Sequence, residues 1–416
     1  MDQLDIFISE YQYSQKNEVS EDNLAVVCEL LEESSDELLI KTKVDVLQIL
    51  SYYALDGDEK STLCINTIDK FLSRYSSEAD ELINQLCYNL RPLLLRTKNK
   101  ESGTANIGLK PKLGFSFKED ELLKEWKEKG GIRSIPLFYV VLRFLKRKDV
   151  SANVWWITPG ILNLLDNTSD LKDIKLQGLV LLRTLLEFTF NGDEETAENW
   201  ISFAETGLFK LYEPILVNMS FFLPPAYNPE DTLMVYLKMF PTLDLLYKKQ
   251  HKKDYLAYQI SLRKFLSEII LQSILPRISY TYEQLTLFIL NITIDIIGKL
   301  GDSSVVHLQR LIYTVGEYLV KNPFFTTSAK IMDTTIELLL TMVQLQPEER
   351  LRAHKYDFLA LIVIIYEKND TEGAMTASRL EALHDLLNQL SAKNCTFDEQ
   401  EKTRLGQERN LTKLFT

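Results

Sequence analysis

Between Val154 and Phe190 an apolar side chain recurs at every third or fourth position along two consecutive stretches, with a short polar turn between them. In the first stretch Ile157, Ile161, Leu164 and Leu165 fall at the i, i+4, i+7, i+8 spacing of one helix face, and Pro159 suits a first helical turn. In the second, Leu176, Leu179, Leu182 and Leu186 repeat the pattern, and Val180 and Leu181 widen the stripe. Asp166, Leu176, Gly178, Leu179 and Leu182 are the expected structural residues of this hairpin. One partner helix cannot cover a stripe that broad. The hairpin therefore needs neighbours stacked on both sides, and the expected fold class is all-α, an α-solenoid of HEAT-like helical hairpins.

The same periodicity predicts helices over 4–13, 23–32, 38–55, 62–75 and 79–96, an N-terminal acidic helical block within residues 1–96. Residues 97–117 concentrate Lys, Gly, Ser and Pro without an apolar period and read as an exposed loop. The main solenoid is expected over 118–392. It holds helices at 118–129, 135–148, the hairpin above, 194–204 after the Asn191-Gly192-Asp193 stop, 209–223, 231–249, 255–275, 282–300, 304–320, 327–345, 347–368 and 374–389. Residues 393–416 are expected as a C-terminal tail, frayed from Asp398 onward.

Composition agrees: 416 residues carry only 15 Gly and 12 Pro, too few for the turns of a large β or α/β protein. Cys28, Cys64, Cys87 and Cys395 show no CxxC spacing, which points to a reducing compartment and to neither a zinc site nor a disulfide framework. The acidic start has no signal-peptide character. The longest apolar run, Phe358 to Tyr366, is far shorter than the ~20 residues of a membrane span, so an intracellular protein is expected. Charge is uneven. Residues 1–40 hold eleven acids against Lys16 alone and so carry −10 of the formal net charge of −12, whereas residues 91–148 have a surplus of +9.

No phosphate-binding loop, nucleophile elbow or zinc-protease motif occurs, and His251, His307, His354 and His384 fall on separate elements, so an enzyme, a cofactor and a metal site are not expected. Trp155 and Trp156 point about 100° apart on a helix. Packing of both into the core is the plainer reading, and one indole facing a groove the alternative. KKQHKK, Lys248 to Lys253, reads as a solvated interhelical turn or as an anionic-partner patch. In PEERLRAHKYDFLALIVIIYEK, Pro347 to Lys368, the second half is apolar almost all round and should be buried. Arg350 and His354 share one face of the first half, and Arg352, Lys355 and Tyr356 another. Cations at a helix N-terminus are mildly unfavourable. Either nearby acids compensate them, or an acidic partner does, and these five residues are the candidate partner-binding positions.

The segments RAHKYDFLALIVIIYEK, PGILNLLDN with KLQGLVLLRTLLE, and FAETGLFKLYEPILVNMSFFLPPAYNPEDTLMVYLKMFPTLDLLYKK together resemble the Tti-two family over about residues 80 to 370, in a divergent, fungal form. Where the family pattern has two acids after the leucine pair and a basic residue before the glycine, this chain has Asp166-Asn167 and Gln177-Gly178. The resemblance implies a non-enzymatic co-chaperone of the Triple T complex, in the cytoplasm and nucleus. Its partners there are Tti-one and Tel-two. With the ninety-kilodalton heat-shock chaperone, the complex supports phosphatidylinositol-kinase-related protein kinases, whose roles include telomere length and the DNA-damage response; in fungi the same proteins are grouped in the ASTRA assembly. The resemblance also implies that Tti-one is the direct contact, in the C-terminal half. The rival readings are a solenoid transport adaptor binding targeting peptides or small GTPases, and a nucleic-acid-binding repeat using the +9 segment.

Overall fold

The computed structural model describes residues 2–11, 20–33, 38–55, 57–95, 117–190, 201–409 and 411–415. Among the described residues every regular element is helical and no strand occurs, so the chain is all-α. It divides into two compact units, Met1–Leu211 and Tyr212–Thr416.

In the first unit lie α1 (Asp2–Tyr11), α2 (Glu21–Glu33), α3 (Ile40–Ser51), α4 (Glu59–Arg74), α5 (Ala79–Leu90), α6 (Phe117–Glu128), α7 (Ser134–Phe144), α8 (Val150–Leu165) and α9 (Leu176–Thr184). Helices α1, α3, α5, α7 and α9 pack each on the next, while α2 lies on α4 and α8 on α9. The sequences explain the two layers. In α7, Ile135, Leu137, Phe138, Val140, Val141 and Leu142 are all buried, an apolar surface on nearly every side that needs helices on both flanks. In α4 the buried Cys64, Ile68, Phe71 and Leu72 form a single stripe, and Asp58 caps its start by accepting from the Ser61 N–H at 2.7 Å. Each fully buried Leu or Ile of these seams contributes about 1.5–3 kcal/mol before the entropy of ordering.

Two expectations change here. Helix α8 starts at Val150, so Pro159 sits inside it and not in its first turn. The carbonyl four residues back, that of Trp155, therefore has no helical N–H partner at position 159. Helix α9 is extended by π-helical turns at Leu171–Lys175 and Leu185–Thr189. The loop expected at 97–117 lies outside the described residues up to 116, and Phe117 already belongs to α6. Residues 191–200, with the expected stop and most of the helix at 194–204, also lie outside them; at 203–206 there is a single 3₁₀ turn under a Ser202–Glu205 capping box.

Helix α10 (Phe209–Met219) leads into the second unit. That unit comprises α11 (Pro229–Gln250), α12 (Tyr255–Lys264), a π-helical stretch Phe265–Ile274, α13 (Leu275–Ile278), α14 (Glu283–Leu300), α15 (Leu308–Val315) and a π turn Gly316–Val320. After these come α16 (Ala329–Leu345), α17 (Glu348–Ala353), α18 (Lys355–Thr371), α19 (Ala377–Ala392), α20 (Glu399–Arg409) and α21 (Thr412–Phe415). Helix α14 packs between α12 and α16, and α16 in turn packs on α19. The helical stretch Glu283–Val320 is long and apolar enough on composition to cross a bilayer. Within it Leu285, Ile289, Leu290, Ile296, Ile297 and Leu300 are buried, and the 3₁₀ turn Gly301–His307 interrupts the α-helix.

The single helix expected at 347–368 is two. His354 leaves the helical range at φ −112°, ψ 10°, so α17 and α18 meet at an angle and the face-sharing read from one continuous helix does not apply. No proline or glycine marks the break; contacts from the C-terminal residues hold both sides of it, as described below. Those residues are not frayed. Asp398 and Glu401 form a capping box, with Glu401 N–H to Asp398 Oδ1 at 2.6 Å and Asp398 N–H to Glu401 Oε2 at 2.9 Å, and they start α20. Leu411 and Leu414 are then buried as α21 packs on α19.

Candidate partner-binding site

Of the five candidate positions, four are engaged by the chain itself. Arg352 pairs with Glu348 one turn back on α17. Lys355 donates to the Thr396 carbonyl at 3.2 Å, and its Nζ sits 4.6 Å from the Tyr356 ring centroid and 5.6 Å from that of Phe397. Tyr356 donates to Glu401 Oε1 at 2.8 Å. His354 is half-buried, with Nδ1 2.8 Å from Asp357 Oδ2. Arg350 is exposed, and no ion pair to it occurs among the described residues. The cations at this helix start are thus met by Glu348, Asp357 and the segment 394–401, where Asn394 Nδ2 also donates to Glu348 at 2.9 Å. The helical propensity of 399–409 under the Asp398-x-x-Glu401 motif was the available signal for this clasp.

The hairpin residues come together as their spacing predicts. Leu176, Leu179 and Leu182 are buried, and Asp166 is the exposed last cap of α8. Gly178 lies against α8: a Cβ there would stand 3.0 Å from the Leu165 backbone N and 3.1 Å from Leu164 Cβ. Asn167 accepts from the Asp170 N–H at 2.8 Å. Asp170 in turn caps the next helical turn and pairs with Lys127 of α6. Trp156 is buried and donates to Asn153 Oδ1 at 2.8 Å, whereas Trp155 is 65% exposed, so packing of both indoles into the core does not hold. The Arg91 guanidinium lies beside both rings, 5.5 and 5.4 Å from their centroids, and bonds Asn153 at 2.9 Å.

KKQHKK closes α11 and leads into α12, with Lys248 paired to Asp244 and His251 Nε2 3.0 Å from Ser261 Oγ; burial lowers the His251 pKa below its ordinary value. Sequence reasoning missed the network centred on Asp244, although Asp244–Lys248 and Asp295–Lys299 are legible i, i+4 pairs. Asp244 accepts from Lys248 at 2.8 Å, from Tyr258 at 2.7 Å and from Lys299 at 3.1 Å, and Lys299 also reaches Asp295 at 2.5 Å. Burial alone would raise the Asp244 pKa, but these donors outweigh it and hold the carboxyl below its usual range. Beside the network Phe240, Leu243, Tyr247, Phe265 and Ile296 line a largely apolar cavity of about 190 Å³. Among the described residues no group of three or more His, Cys, Asp or Glu side chains could hold a metal ion, and all four cysteines are buried.

What these elements share with other proteins is a family resemblance at the level of sequence. The profile of the Tti2 family matches residues 46–327, so the hairpin lies inside it and Arg350 to Tyr356 beyond its end. TEL2-interacting protein 2 of Saccharomyces cerevisiae is 42% identical over 401 residues, which cover 94% of this chain and 94% of that protein. No solved structure matches. A profile spanning more than half of the chain, joined to that identity over nearly the whole length of both proteins, is decisive: the chain belongs to the Tti2 family.

Proposed function

We propose that this protein is a non-enzymatic scaffold subunit of the Triple T complex. In this reading it joins Tel-two and Tti-one and, with the ninety-kilodalton heat-shock chaperone, supports folding and assembly of phosphatidylinositol-kinase-related protein kinases in the cytoplasm and nucleus. The observation that carries the reading is the relationship to a protein named for its interaction with TEL2, over 94% of both chains. The packing supports it. Helices α1, α3, α5, α7 and α9 in one unit, and α12, α14, α16 and α19 in the other, follow one another in layers, as in HEAT-like hairpins of an α-solenoid, where the work is done by presenting surface. Tti-one is the proposed direct partner, with its contact at the α17–α18 junction. Arg350 and Arg352 are exposed there, while Lys355 and Tyr356 are clasped by the chain's own end.

Affinity purification of the tagged full chain from its own cells, read by mass spectrometry, tests the proposal. Tel-two and Tti-one should be recovered in amounts comparable to the bait. Reversal of Arg350 and Arg352 to Glu should weaken Tti-one recovery at physiological salt and lower the melting temperature by no more than a few degrees, the cost of the exposed Arg352–Glu348 pair. Absence of both partners from the wild-type purification overturns the assignment; partners retained by the double variant overturn only the placement of the contact.

A further inference from the structure

The first hairpin of the N-terminal unit packs α1 on α3 and α2 on α4, and an apolar groove of about 170 Å³ runs between α1 and α2. Phe7, Tyr11 and Val27 form the floor and are buried. Ile6 and Val26 form the lips, at 61% and 48% exposed. A polar bond, Asn23 Nδ2 to Tyr11 Oη at 3.2 Å, closes one side. Ile6 and Val26 thus keep branched aliphatic side chains at the rim of the groove.

The charge around the groove is of one sign. Asp5, Glu10, Asp22 and Glu29 are all exposed, and neither α1 nor α2 contains a lysine or arginine. These four exposed carboxylates, with no cation on either helix, set up a negative field around an apolar slot. A second copy of the chain would bring the same negative charge to the same place, and nucleic acid or an anionic membrane would be repelled. The complementary occupant is a helix with an apolar stripe flanked by cations.

We infer that the α1–α2 groove is a docking site for a basic amphipathic helix of a protein partner, its apolar stripe seated between Ile6 and Val26 and its lysines or arginines facing Glu10 and Glu29. The inference rests on the scaffold reading, which makes a partner protein the source of that helix.

The test titrates the full-length chain, by fluorescence anisotropy, with a labelled peptide of about 18 residues whose leucines follow the i, i+3, i+4, i+7 stripe and whose other positions are lysine. A scrambled peptide of the same composition is the control. The striped peptide should bind saturably at one site, weaken as salt rises, and exceed the scrambled one by at least about tenfold, as expected for burying two or three aliphatic side chains. The double variant Ile6→Glu, Val26→Glu adds negative charge while blocking the groove. Seating in the groove predicts about tenfold weaker binding for it, and attraction by bulk charge predicts equal or tighter binding, which overturns the proposal. Both positions are exposed, so the melting temperature of the variant should match wild type. A wild-type dimer in sedimentation that the double variant abolishes would make a second copy the occupant and also overturn it. The affinity purification above is independent. A chain that recovers Tel-two and Tti-one but binds the two peptides alike refutes the groove alone, and the opposite pair of results refutes the complex alone.

Discussion

Gly178 sits where α9 crosses α8, and it shows how one absent methyl group sets a helix separation. An added Cβ would meet the Leu165 backbone N and Cδ2 at 3.0 Å. The leucine tip can rotate away, but the backbone nitrogen cannot, so Gly178→Ala must push the two helices apart. We expect a loss of about 1–3 kcal/mol, read as a lower urea midpoint with an unchanged slope. Gly298 provides the contrast. It is exposed inside α14 with nothing within 4 Å of its would-be Cβ, so Gly298→Ala should gain about 0.5–1 kcal/mol from helix propensity. Opposite signs from one chemical change separate close packing from propensity. If both variants are neutral or stabilising, α8 and α9 do not approach as described.

At the scale of elements, Asp244 joins three helices: its own α11 through Lys248, α12 through Tyr258 and α14 through Lys299. Because the folded carboxyl titrates below its ordinary value of ~3.9, folding stability from this network is fully present above that value and is lost as the pH falls through the folded pKa. Asp244→Asn should therefore be less stable than wild type at neutral pH, and the gap in urea midpoint should narrow below about pH 4. A gap that is constant with pH would mean the charge is not what holds the helices. The stripes of α4, α8, α9 and α16 were legible in the sequence because a one-sided helix advertises its buried face at 3.6-residue spacing, whereas the close approach at Gly178 depends on how α9 crosses α8 and shows only in the structure. The break at His354 was not. Its local sequence is strongly helical, and only distant groups, Thr396, Phe397 and Glu401 acting on Lys355 and Tyr356, reveal why the chain turns there. The groove between α1 and α2 was hidden for the opposite reason. Ile6 and Val26 lie on the same kind of stripe as core residues, and periodicity cannot tell a covered face from one left open.

At the scale of the whole molecule, the two compact units raise the question of whether each carries a core sufficient to fold. The second unit buries Val235, Tyr236, Met239, Leu243, Leu290, Ile297, Leu338, Leu339, Ile362 and Leu386 completely or nearly so, and its principal helices α11, α12, α14, α16 and α19 pack in sequence. A unit of that size buries roughly two-thirds or more of its unfolded surface, enough for independent stability. A fragment of residues 201–416, which keeps α10 whole, should therefore show helical circular dichroism and a single cooperative melt. It should also bind no dye specific for loosely packed apolar surface. If it is helical but melts without cooperativity and binds such a dye, the division near Leu211 describes packing but not folding. The same fragment then sorts the two proposed contacts by unit. It retains Arg350 and Arg352 but lacks α1 and α2, so it should still recover Tti-one while the striped cationic helix no longer binds.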